Sequence, residues 1–138
     1  MEFKHKYPAQ LRFSDFDMLG HLNNSVYLQI MDLGKVSYFA QATGKAPEPQ
    51  GTIPVVAHID IDFDQPTMPG EHITVETATE CIGTKSITLR QQIINADNGS
   101  VKCRAHVVMV NFDPRTGATA EITDSDRKAI SRYEGREL

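Results

Sequence analysis

From Asp15 to Tyr27 the chain reads Asp-Phe-Asp-Met-Leu-Gly-His-Leu-Asn-Asn-Ser-Val-Tyr, which sets two carboxylates, a glycine, an imidazole and two amides side by side. The segment runs straight into a long amphipathic stretch. An acid in that place stands just before a helix N-terminus, beside backbone N–H groups without intrahelical acceptors and the positive end of the helix dipole. One corner therefore offers both a base and a place to stabilise an anion. Asp15, Asp17 and His21 are also adequate metal ligands, a competing reading that a chelator would test.

The elements that must position this corner follow from periodicity. Ala9 to Phe13 reads as a first strand after Pro8, with Leu11 and Phe13 on one face. From Ser25 to Ala42 the apolar residues recur at three- and four-residue spacings, which predicts a long helix. Asn23, Asn24 or Ser25 can cap it, and Thr43-Gly44 supplies its stop. Lys45 to Thr52, with Pro47, Pro49 and Gly51, reads as a loop. Beyond it the period changes to two. Ile53 to Phe63, His72 to Cys81, Lys85 to Ala96 and Val101 to Phe112 read as four strands, separated by Gln65 to Gly70, the Gly83 turn and the Asn98-Gly99 hairpin signal. A short helix is predicted from Thr123 to Tyr133, capped by Thr123 or Asp124, with residues 132–138 frayed.

Strands joined by short connections, without crossover helices, make an antiparallel sheet. One apolar helix is large enough to cover it, so the expected fold class is α+β, a curved antiparallel sheet wrapped around one central helix. The chain of 138 residues is expected to form one domain, residues 1–138. Strands this long leave free edges, which invites a second copy, as a homodimer or homotetramer.

Composition narrows the function. The chain has 14 basic and 18 acidic residues and a formal charge of −4, and its basic residues are scattered, which argues against a nucleic-acid partner. No stretch reaches the apolar length of a membrane span and the N-terminus lacks a signal core, so a cytoplasmic location and no membrane partner are expected. Cys81 and Cys103 lie far apart, and both are expected to be buried thiols.

The order strand, Asp-containing turn, long helix, four strands, together with Asp17, Gly20-His21, Asn23-Asn24 and Tyr27, resembles the hotdog-fold acyl-CoA thioesterases of the 4-hydroxybenzoyl-CoA thioesterase type. Pro66 and Gly70 stand where that family has its loop before the next strand. The resemblance implies hydrolysis of an acyl-CoA thioester to acid and coenzyme A, with Asp17 as the catalytic carboxylate. Thioester hydrolysis places negative charge on the carbonyl oxygen in the transition state, which preorganised donors must meet. The N–H of about Asn24 is the expected donor. Thiolate leaves readily and a free aspartate is ionised at neutral pH, so a residue of this type can serve as general base through water or as nucleophile through a mixed anhydride. Metal is not required, and no cofactor is expected beyond the coenzyme A carried by the substrate.

The remaining site residues take lesser roles. Asp15 is expected to be structural. Gly20, His21, Asn23 and Tyr27 are expected near the substrate, with Gly20 giving the turn its freedom, the asparagines serving as caps and Tyr27 packing in the core with its hydroxyl near the pocket. Lys85 and Ser86 stand where related thioesterases contact coenzyme A, with Arg90, Lys102 and Arg104 as further cations. All five have surface solvation as the simpler explanation. His58, Asp60, Asp62 and Asp64 alternate as a solvent or interface face, and His106 reads as strand packing. Two alternatives remain open: a thioesterase acting on acyl carrier protein, and a non-catalytic acyl-CoA-binding module of the same fold.

Overall fold

The protein is described by a computed structural model covering residues 2–45 and 51–138; the expected loop prolines Pro47 and Pro49 fall outside these residues. The elements run β1 (His5–Ala9), a single 3-10 turn (Phe13–Asp15), α1 (Asn24–Thr43), β2 (Ile53–Phe63), β3 (Ile73–Ile82), β4 (Ser86–Asn95), β5 (Val101–Asp113), β6 (Ala118–Thr119) and α2 (Asp124–Glu134). All strand pairings are antiparallel, in the order β1-β3-β4-β5-β2, with the short β6 beside β5. The expected α+β architecture of a sheet around a central helix is present.

Helix α1 forms where the 3.6-residue period lies. Asn23 caps it by accepting the Ser25 N–H at 3.0 Å, and the left-handed Gly44 ends it. Its buried face, including Ile30, Met31 and Tyr38, lies on Val75, Leu89, Ile93, Val107 and their neighbours. The approach is close because residue 34 is glycine: a Cβ there would stand 2.8 Å from Val75 Cγ1. Such a contact forces the helix off the sheet.

β3, β4 and β5 pair in sequence order, whereas β2 joins β5, so residues 64–72 cross the end of the sheet to start β3 on its far side. Two expectations are corrected. The first strand is His5–Ala9, not Ala9–Phe13. Pro8 sits inside it, and is tolerated because β1 is an edge strand that pairs with β3 alone among the described residues. Second, residues 132–138 dock rather than fray. The Glu134 carboxylate is buried and accepts the Tyr38 hydroxyl at 2.6 Å and the Thr79 N–H at 2.9 Å. Arg136 donates to the Thr79 carbonyl at 2.6 Å.

The pairing leaves the outer edge of β2 without a partner among the described residues, and Val55 and Val56 of that strand are exposed. No helix of the described residues is long and apolar enough to cross a membrane.

Candidate active site

The two acids at the head of the site segment are separated by their surroundings, not by their chemistry. Asp15 is buried, and its carboxylate accepts the Arg12 N–H at 2.7 Å and the Arg12 guanidinium at 3.0 Å. Those bonds hold its carboxyl below the usual carboxylate range. It is a structural residue, as expected. Asp17, two residues on, is exposed. Its Oδ1 accepts the Leu19 N–H at 2.9 Å and the His21 N–H at 3.4 Å, an Asx-type turn that fixes the carboxylate while leaving it open to a ligand.

The turn is closed on itself. The Asp17 N–H donates to the His21 carbonyl, the Gly20 N–H to the Asp17 carbonyl, and Phe16 bridges to Leu22. Gly20 has φ +80°, so a side chain there would strain this closure. His21 thus serves Asp17 through its backbone, and its ring makes no hydrogen bond among the described residues.

The start of α1 supplies the donor. The Ser25 N–H goes to the Asn23 side chain, the Val26 N–H to the Asn23 carbonyl and the Asn23 N–H to the Asp15 carbonyl. Asn24, the first helical residue, has no intrahelical acceptor for its N–H. It is exposed, and it is the residue at which the helix dipole meets solvent.

Asp17 and Gly20 line an open cleft of about 850 Å³, with Phe16, Pro69 and His72 also on its walls. The rim is greasy. Phe13 and Met18 are each 99% exposed and Leu19 is 76% exposed. Side chains of this kind are seldom left so bare without an apolar ligand or partner. Phe13, expected on the buried face of a strand, is exposed because the chain there is a 3-10 turn.

Other expected site residues lie elsewhere. Tyr27 is buried, packs edge-to-face on Phe63 with centroids 5.3 Å apart, and donates its hydroxyl to Thr67 Oγ1 at 2.9 Å. It is part of the core, and its hydroxyl is taken by Thr67. Lys85 and Ser86 stand at the opposite end of β3 and β4 from Asp17, roughly 30 Å away by strand rise, because Ile82 pairs with Ile87 at that end and Ile73 with Asn95 at the site end. One chain therefore does not bring them to Asp17.

Lys102 is buried against Glu71 at 2.8 Å, not solvated, and Arg104 pairs with Asp64 at 3.5 Å. Arg90 lies half-buried on the outer sheet face beside His106. His106 is exposed and meets Glu80 at 3.3 Å, which corrects its reading as strand packing. His58, Asp60 and Asp62 are exposed along β2, as expected. Cys81 is exposed, contrary to expectation. Cys103 is buried, and burial pushes its thiol up to about 12.

Asp15, Asp17 and His21 do not form a metal cage, since Asp15 faces Arg12, and no group of three metal-ligating side chains occurs among the described residues. A second cleft, of about 460 Å³, lies towards the C-terminal end of α1. Val36, Phe39, Ile53, Met109 and Ile130 make its walls apolar.

The residue that sequence reading missed is Thr67, inside what looked only like a strand break. It is fully buried and joins that loop to the site segment. Nothing in its type or spacing signals this, because the contact depends on the crossing of the sheet.

Comparison with known proteins agrees with this fold. Residues 11–130 match the family model of the Thioesterase-like superfamily. The chain is similar to a thioesterase from Thermus thermophilus complexed with coenzyme A and Zn, at 29% identity and TM-score 0.87, covering 99% of this chain and 98% of that one. It is also similar to a predicted thioesterase from Bacillus stearothermophilus, at 26% identity and TM-score 0.84, covering 96% and 98%. An uncharacterized protein, YsmA of Bacillus subtilis (strain 168), is 29% identical over 122 residues, 88% of this chain and 82% of that protein.

Proposed function

The chain belongs to the thioesterase-like superfamily, and we propose that within it this protein is an acyl-CoA thioesterase. The observation that carries the proposal is an open, backbone-held Asp17 carboxylate in the turn that leads directly into α1, whose first residue, Asn24, has an N–H with no intrahelical acceptor. The coenzyme A held by the Thermus thermophilus relative supports the choice of carrier.

In the proposed reaction the thioester carbonyl oxygen lies against the Asn24 N–H while its carbon faces Asp17. Asp17 takes a proton from a water molecule as that water adds to the carbonyl, or adds directly to give a mixed anhydride that water then opens. The carbon–sulfur bond breaks and coenzyme A departs as thiolate, which takes up the proton. Losing one preorganised donor of this kind costs roughly 3 kcal/mol of barrier. The coenzyme A enters and leaves with substrate, and no further cofactor takes part.

The same reading includes a homodimer built on β2, which a homotetramer would retain. β2 lies antiparallel to α1, with Phe63 against Tyr27 and Ile53 in the second cleft. Pairing two such edges about a two-fold axis near the strand's middle brings the Phe63 end of one copy against the Ile53 end of the other. The carboxylate of one copy then meets the apolar cleft of its partner, which suits an acyl chain. The Lys85 and Ser86 end of the sheet is carried towards the active turn by the same operation.

The test is thiol release from a panel of acyl-CoAs differing in chain length and aromaticity and from acylated acyl carrier protein, with and without EDTA, for the wild type and Asp17→Asn. Turnover that survives EDTA and is lost in Asp17→Asn is the expected result. Unchanged rates in the variant refute the assignment, and release only from acyl carrier protein identifies the other thioesterase class.

A further inference from the structure

The loop that crosses the sheet between β2 and β3 is tied down far more firmly than a connection needs to be. Lys102, buried at the start of β5, donates to the Pro66 carbonyl at 3.2 Å and to Glu71 at 2.8 Å. Its own carbonyl accepts the Asp64 and Gln65 N–H groups. Glu71 also accepts the Met68 N–H at 2.7 Å and the Asn95 amide at 3.1 Å. Burial alone would push the Glu71 carboxyl up, but the bonds from Lys102, Met68 and Asn95 outweigh it and hold the group below its ordinary value. One lysine and one glutamate therefore bolt residues 64–71 to the sheet.

At the centre of the bolted loop stands Thr67, and it faces the active turn with three groups. Its carbonyl accepts the Leu22 N–H at 2.9 Å. Its hydroxyl accepts the Tyr27 hydroxyl at 2.9 Å, and its N–H donates back to that hydroxyl at 3.2 Å. Leu22 and Tyr27 belong to opposite halves of the site. Leu22 is bridged to Phe16, beside Asp17, on the carboxylate side. Tyr27 lies in the first turn of α1, on the side that presents the Asn24 N–H. Thr67 is a crosslink between the base and the oxyanion donor, anchored to the sheet through Glu71 and Lys102.

We infer that Thr67 is a positioning residue for thioester hydrolysis, setting the spacing between the Asp17 carboxylate and the Asn24 N–H without touching substrate. The inference deepens the thioesterase reading and rests on it. Catalysis by this pair needs both groups aligned on one carbonyl, and a misplacement of about 1 Å can cost a hundredfold. The hydroxyl is the part that a volume-conserving substitution removes.

The experiment compares Thr67→Val, Thr67→Ser, Tyr27→Phe and Thr67→Val combined with Tyr27→Phe, reading kcat and KM per folded molecule, with thermal melting alongside. Thr67→Val is expected to lose about tenfold to a hundredfold in kcat with KM changed by less than about threefold, and Thr67→Ser to regain most of it. The double variant is expected to fall no further than the worse single one, because Tyr27→Phe already removes the bond that Thr67→Val loses, together with the one from the Thr67 N–H. Should Thr67→Val not fold, Tyr27→Phe reads the same loss. Wild-type kcat in the folded variants, or Thr67→Ser as impaired as Thr67→Val, overturns the inference. Asp17→Asn runs in parallel: if it keeps full turnover the thioesterase reading fails, whereas an inactive Asp17→Asn beside an unaffected Thr67→Val overturns the positioning role alone.

Discussion

The two ends of α1 treat a carboxylate in opposite ways. At the N-terminal end Asp17 is exposed and held by backbone N–H groups of its own turn, which leads into the first residue of the helix. Towards the C-terminal end Glu134 is buried, and its oxygen is shared between the Tyr38 hydroxyl and the Thr79 N–H, with the Tyr38 ring packed against His5, Phe39 and Tyr133. On the proposed reading, the carboxylate that reacts keeps an unsatisfied side, and the one that holds the fold is surrounded. Burial and the Glu134 bond accordingly push the Tyr38 hydroxyl well above its ordinary range.

If this contrast is correct, the ends respond differently to substitution. Asp17→Asn should give the largest effect, a loss of about a thousandfold in kcat/KM, or about 4 kcal/mol of transition-state stabilisation, with melting unchanged. Glu134→Leu should do the reverse. It strands the buried Thr79 N–H and Tyr38 hydroxyl, so stability measured by denaturant should fall by roughly 2–4 kcal/mol while turnover per folded molecule holds. Between the ends, Gly34→Ala should cost roughly 1–3 kcal/mol, because its new Cβ meets Val75 at 2.8 Å. Removing the cap by Asn23→Ala should cost about 1 kcal/mol. The smallest effect is a pH dependence. Burial lowers the pKa of His5 from 6.5, despite the opposing pull of Glu134. The unfolded chain then binds the proton more readily, so stability is full above about pH 6.5 and falls as acid is added. Melting followed between about pH 8 and 5.5 should show a shallower slope in His5→Gln.

Much of this contrast was legible in the sequence at the helix and hardly at all at its anchors. The 3.6-residue period located α1 to within one residue at either end, and strict alternation gave β2 its observed limits, Ile53 and Phe63. Asp17 was singled out as the carboxylate through the resemblance to the hotdog thioesterases, and Asn24 as the donor because a helix start leaves backbone N–H groups free. Strand order was not readable, since β2 joins β5 across a long sequence separation and consecutive pairing was the natural expectation. Everything that depends on that crossing was hidden with it: the buried Lys102–Glu71 pair, the Thr67 crosslink, and the distance of Lys85 and Ser86 from Asp17. β1 was displaced because its proline is acceptable only on an edge, a property of the assembled sheet. The docked C-terminus escaped notice because Glu134 reads as a surface residue until Tyr38 and Thr79 are placed beside it.

The central claim is that a carboxylate and a helix start converge on one thioester. It is tested most directly by a crystal structure with a non-hydrolysable acyl-CoA analogue. The expected complex has the analogue's carbonyl oxygen about 3 Å from the Asn24 nitrogen, with the Asp17 carboxylate beside the carbonyl carbon. An analogue bound with its carbonyl remote from both residues would contradict the account.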